Sequence, residues 1–97
     1  MRTLKIIHHG SVERINTISA HCICNLSIQK SIYNSEASYI DIFWGVGTSM
    51  SVQLPTGKAY ALYHDITDWF SDGCDNLVVE LRAGLSGDSI DYIATRD

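Results

Sequence analysis

The sequence predicts an all-β fold: an antiparallel sandwich of about eight short strands with one short helix near residues 66–71. Three observations carry this. Apolar residues recur at every second position through most of the chain. Turn signals cut that pattern into runs of four to eight residues. The chain is only 97 residues long, which fits one domain over 1–97 with one modest core.

The first strand lies in "MRTLKIIHHG", where the neighbouring His8 and His9 point to opposite faces and cannot chelate together. From Ile18 the apolar positions are Ile18, Ala20, Cys22, Cys24, Leu26 and Ile28, with polar residues between them apart from Ile23. A helix would scatter these side chains around its circumference. A strand gathers them on one face, so residues 18–28 are expected to form one strand with Cys22 and Cys24 turned to the core. "YIDIFWGVG" continues the alternation through Ile40, Ile42, Trp44 and Val46. "SMSVQL" places Met50, Val52 and Leu54 inward, and "NLVVELR" does so with Leu77, Val79 and Leu81. The last segment alternates through Ile90 and Tyr92. Turns rich in Gly, Asn, Asp and Ser separate the runs, among them "YNSEAS", "GVGTS", "LPTGK", "SDGCDN" and "GLSGDS".

One stretch departs from the period of two. Leu62, Ile66, Trp69 and Phe70 follow helical spacing. Asp65 suits an N-cap, Asp68 stands three residues on, and Gly73 can close the turn. Residues 58–64 then read as a strand and 66–71 as one or two helical turns. A single helix over 58–72 is the alternative, because Tyr60, Leu62 and His64 also alternate.

The run Asp65-Ile66-Thr67, an aromatic pair, then Gly73, Asn76, Leu77, Val78 and Val79 resembles a pattern in jelly-roll sandwiches of the galactose-binding-like superfamily. It is similar to the sugar-binding domain of the large β-galactosidase group, although "GCDN" carries one more residue than the usual Gly–x–Asn. The resemblance covers residues 58–82 and implies a jelly-roll-like sandwich. It also implies a structural role for Asp65, Thr67, Gly73 and Asn76. Asp65 and Thr67 would cap backbone groups, and Asn76 would hydrogen-bond its own turn.

The net charge of −4 and the scattered basic residues argue against nucleic acid as a partner. No apolar run approaches the roughly 20 residues of a membrane helix, so no membrane partner is expected. The opening residues lack the hydrophobic region of a signal peptide, and three cysteines cannot all pair within the chain. A cytoplasmic or virion location follows as the expectation. The "HCIC" segment lacks a knuckle spacing for zinc, and the acidic group Asp65, Asp68, Asp72 and Asp75 lacks the EF-hand pattern. No metal, cofactor or catalytic residue is expected. His64 beside Asp65 has no matching nucleophile motif.

Aromatic residues are the remaining handle. Tyr33, Tyr39, Phe43 and Tyr63 fall on nominally outward positions. Together they would make a stacking platform for a glycan or an anchor set for another protein. The outward positions are otherwise mostly Ser, Thr, Asn and Gln with few charges, as at interfaces between chains. The expected function is a non-enzymatic structural or interaction module: a small accessory protein of a larger assembly, of phage or virus particle type, with other protein chains as partners. The alternatives are a carbohydrate-binding module and a small inhibitor of a host protein.

Overall fold

The computed structural model describes residues 2–10, 12–32, 36–45, 47–72, 75–83 and 90–97. The described chain is mostly β, with seven strands in two sheets and one helix sharing a single core. The strands are β1 (Thr3–His8), β2 (Arg14–Ser19), β3 (Ile23–Lys30), β4 (Ala37–Trp44), β5 (Ser49–Pro55), β6 (Leu77–Ala83) and β7 (Ile90–Arg96). Helix α1 (Thr56–Asp72) stands between β5 and β6.

One sheet has the order β2-β1-β6-β7 and the other β3-β4-β5. The three-stranded sheet is an antiparallel meander. In the four-stranded sheet the central strands β1 and β6 are parallel, with Leu4 beside Leu77 and Ile6 beside Val79. A parallel pair needs a long crossover. Here the crossover comprises β2, the whole second sheet and the helix. This corrects the expectation of antiparallel pairing throughout. It also departs from a jelly roll, which is built from antiparallel strands.

Alternation placed most of the core correctly. Ile40, Ile42, Val52, Leu54, Leu77, Val79 and Leu81 are all buried, as expected of inward positions. The run over 18–28 is not one strand, however. Residues Ala20–Cys22 form a short 3-10 turn that ends β2 and launches β3 into the other sheet. Ile23 pairs with Trp44 and Asn25 with Phe43, so Cys24 is the extra residue of a β-bulge. Turn and bulge each shift the phase. Ile18, Ala20 and Ile23 are buried and Leu26 and Ile28 pack partly against the core, whereas Cys22 and Cys24 are exposed. The expectation that both cysteines face the core is overturned. The Cys24 thiol instead donates to the carbonyl of Phe43 across the bulge at 3.4 Å.

The helix spans 17 residues, so the alternative reading of 58–72 is the observed one, and the strand at 58–64 with a short helix over 66–71 is not. Ala59, Leu62, Ile66 and Trp69 lie at helical spacing and are at most 1% exposed. Of the alternating trio, Leu62 alone is buried, while Tyr60 and His64 face out. Asp65 is therefore mid-helix and caps nothing at an N-terminus. Its carboxylate accepts the Tyr92 hydroxyl at 2.9 Å. Thr67 bonds back to the carbonyl of His64 at 3.0 Å, a local bond inside the helix. Lys58 pairs with Asp91 and Asp72 with Arg96, each at 2.8 Å, so with the Tyr92 bond three polar contacts hold the helix to β7.

The C-terminus of the helix is held from afar. Its last turn carries no basic residue. Arg2 supplies one, donating to the carbonyl of Phe70 at 3.1 Å and lying over the Trp69 ring at 5.1 Å. Trp69 Nε1 donates to the carbonyl of Asp75 at 2.7 Å. Asp75 and Asp72 both pair with Arg96, with shortest distances of 2.8 Å. The bond from Arg96 holds the Asp75 carboxyl below the usual carboxylate range.

Candidate functional site

The register of β3, β4 and β5 assembles a grid on the outer face of the three-stranded sheet. Asn25, Phe43 and Ser49 form one row, Ser27, Asp41 and Ser51 the next, and Gln29, Tyr39 and Gln53 the third. Alternation explains why these nine share a face. Their neighbours Ile40, Ile42, Val52 and Leu54 point the other way and are buried beneath the helix and the opposite sheet.

Asp41 is the grid's one charged residue and sits at its centre. Its carboxylate accepts a hydrogen bond from the Ser51 hydroxyl on one side. On the other side it accepts the Gln29 amide at 3.4 Å. Tyr39 and Phe43 flank it two positions away along β4, roughly 13 Å apart at 3.3 Å per residue. All three β4 side chains are half-buried, while Asn25, Gln29, Ser49, Ser51 and Gln53 around them are exposed. The centre strand is shielded by its neighbours on both sides. The arrangement can stack a planar or apolar group on either ring and satisfy a cation or hydrogen-bond donor between them.

The expected aromatic set is thus brought together in part. Tyr39 and Phe43 share the grid. Tyr63 lies on α1, partly buried against the core, and does not belong to this face. Helical geometry took it there, because the strand reading that turned it outward does not hold. Tyr33 lies outside the described residues. Of the turn residues, Gly73 also lies outside them. Asn76 does not bond its own turn. Its side-chain oxygen accepts the backbone N–H of Thr3 at 3.0 Å and the Thr3 hydroxyl at 3.3 Å.

Sequence reading missed Asp41, Gln29 and Ser51. A period-two pattern puts each on an outward position, but their convergence depends on strand register, which the pattern of one strand does not encode.

Three of the four carboxylates Asp65, Asp68, Asp72 and Asp75 are engaged by other partners. Asp65 binds Tyr92, and Asp72 and Asp75 bind Arg96. Among the described residues, no three His, Cys, Asp or Glu side chains converge as a metal site would require. No described helix is long and apolar enough to cross a membrane. Comparisons with protein-family models, curated proteins and solved structures each returned no match.

Proposed function

We propose that the protein is a non-enzymatic interaction module, an accessory chain of a larger assembly, which docks through the outer face of β3-β4-β5. The observation that supports this best is the grid itself: nine side chains, two of them aromatic and one charged, on a twisted antiparallel surface. Interface cores combine aromatic anchors with depletion of charge in this way.

The central carboxylate narrows the partner. In a symmetric pair of such faces centred on β4, Asp41 would meet Asp41 of the second copy, and two like charges would be desolvated together. A different chain carrying a cationic side chain, best an arginine, fits better. Its guanidinium could pair with Asp41 and lie against one of the two rings, Tyr39 or Phe43, while a neighbouring apolar side chain of the partner covers the other. A particle assembly is the setting in which such a small module would serve.

A glycan is the second reading. It draws on the same rings together with the amides of Asn25, Gln29 and Gln53 around Asp41.

Site-specific photo-crosslinking separates the two. A photoreactive phenylalanine analogue at position 39 or 43, in the cells that make the protein, should yield a discrete protein adduct. The adduct should vanish in Asp41→Arg, provided that variant melts like the parent. The same analogue at Thr17, on the exposed face of the other sheet, should yield none. Adducts from position 17 but not from 39 or 43 would overturn the proposal. Glycan retention that depends on Tyr39 and Phe43, with no protein adduct, would favour the second reading.

A further inference from the structure

At the far end of β1 the two sheets part and leave two adjoining clefts. One has a volume of about 510 Å³ and is lined by His8, His9, Arg14 and Asn16 from the β1–β2 hairpin and by Met50 and Ser51 from β5. The other, of about 300 Å³, lies on the opposite side of the same two histidines, against Gln53, Leu81 and Arg82. Both volumes fall within the range of small-molecule sites. We propose that the larger cleft binds a small-molecule oxyanion, a phosphate or carboxylate group held between Arg14 and His8, with Asn16 as a neutral donor.

The geometry rests on cross-strand pairing. His8 and Arg14 are direct partners across β1 and β2, and Asn16 is the partner of Ile6, one step further along the same face. The three side chains therefore project together toward the gap between the sheets. No carboxylate lines either cleft among the described residues. Arg14 makes no ion pair among the described residues, whereas Lys58, Arg82 and Arg96 each do. An arginine beside an imidazole in a concave site is an uncompensated positive field, and an oxyanion is the ligand that compensates it.

The other charged groups nearby are accounted for. His9 donates from Nε2 to Glu80 at 3.0 Å, and its Nδ1 lies 3.9 Å from Glu13. Arg82 lies 3.4 Å from the same Glu80 oxygen. The face contributed by β5, Met50 to Gln53, holds no titratable group of its own, and the Asp41 carboxylate on β4 is engaged by the hydroxyl of Ser51, which lines the larger cleft. Burial, and after it the Arg14 charge, holds the His8 imidazole below its ordinary pKa, so the empty site disfavours the second positive charge. A bound anion would relieve that and draw a proton onto His8.

The test follows the four histidines by NMR through a pH titration, in sodium chloride and in sodium phosphate at matched ionic strength. A third titration uses sodium succinate to separate the two sources of oxyanion. His64, exposed on the helix, is the internal control. Phosphate or succinate should raise the His8 pKa saturably by about half a unit or more, roughly threefold tighter binding to the protonated form. His64 should not move, and Arg14→Gln should abolish the response with its amide spectrum intact. A response to one anion assigns the source. Equal responses at His8 and His64, an unaltered response in Arg14→Gln, or no response to either anion would overturn the proposal.

Discussion

The side-chain oxygen of Asn76 accepts the backbone N–H of Thr3 at 3.0 Å, tying the first residue of β1 to the residue that launches β6. The backbone of Asn76 also exchanges two hydrogen bonds with Asp97, at 2.9 and 3.1 Å. One residue thereby joins three strands at the start of the parallel pair. Asn76→Ala should leave the part-buried Thr3 N–H without its acceptor and cost about 1–3 kcal/mol, measured by urea denaturation. An unchanged midpoint would show that the bond contributes nothing.

Trp69 and Phe70 are neighbours with opposite fates. Trp69 is fully buried and Phe70 is 39% exposed. Trp69→Ala should cost roughly 3–5 kcal/mol, and Phe70→Ala should cost about 1 kcal/mol or less. Equal costs by thermal or chemical unfolding would contradict the helical phase described above.

Cys22 and Cys24 should react with a thiol reagent in the native state, because the 3-10 turn and the bulge hold both outside the core. A chromogenic disulfide added without denaturant should consume two more equivalents in the parent than in the Cys22→Ser, Cys24→Ser variant. If the difference appears only after unfolding, the exposure assigned here is wrong.

Tyr92 should titrate late. Its phenol is pushed up to about 12, first by burial and then by its hydrogen bond to Asp65. For an acid whose folded pKa is raised, the stabilisation is complete below the unfolded value near 10 and is lost as pH rises through the folded one. Phenolate absorbance should therefore show one tyrosine, Tyr92, still protonated above the ordinary phenol range, with stability declining over that window. Asp65→Ala should lower the value without restoring it fully, since burial remains. A single transition near 10 for every tyrosine would contradict the contact.

What the sequence made legible was face, and what it hid was partner. Val52, Leu54, Leu77, Val79 and Leu81 are buried where alternation put them, because a strand's two faces follow from its own spacing. Ile18 to Ile28 kept an unbroken alternation across a 3-10 turn and a bulge, two irregularities that together restored the phase they disturbed. The helix was half visible. Leu62, Ile66 and Trp69 were legible as its buried stripe, while Phe70, read with them, is 39% exposed and Ala59 completes the stripe instead; Gly57, Tyr60 and Thr67 are weak helix formers that favoured a strand and a turn. The pairing of β1 with β6, like the meeting of Asp41 with Gln29 and Ser51, joins residues far apart in the chain, which local pattern does not record. Tyr39 and Phe43 were legible as outward aromatics for the same reason that Tyr63 was not: the former lie on a strand and the latter on a helix.

The claim that β3-β4-β5 presents a docking face is tested most directly by covalent footprinting. Hydroxyl radicals would be applied to the purified protein and to the same protein in a native lysate of the cells that make it, with oxidation read residue by residue by mass spectrometry. Tyr39 and Phe43 should be labelled in the purified protein and protected severalfold in the lysate, while Tyr60 on the helix and Ile93 on β7 stay equally reactive in both. Equal labelling of Tyr39 and Phe43 in the two samples, with protection instead at Ile93 or Tyr60, would place the contact surface elsewhere and contradict the account.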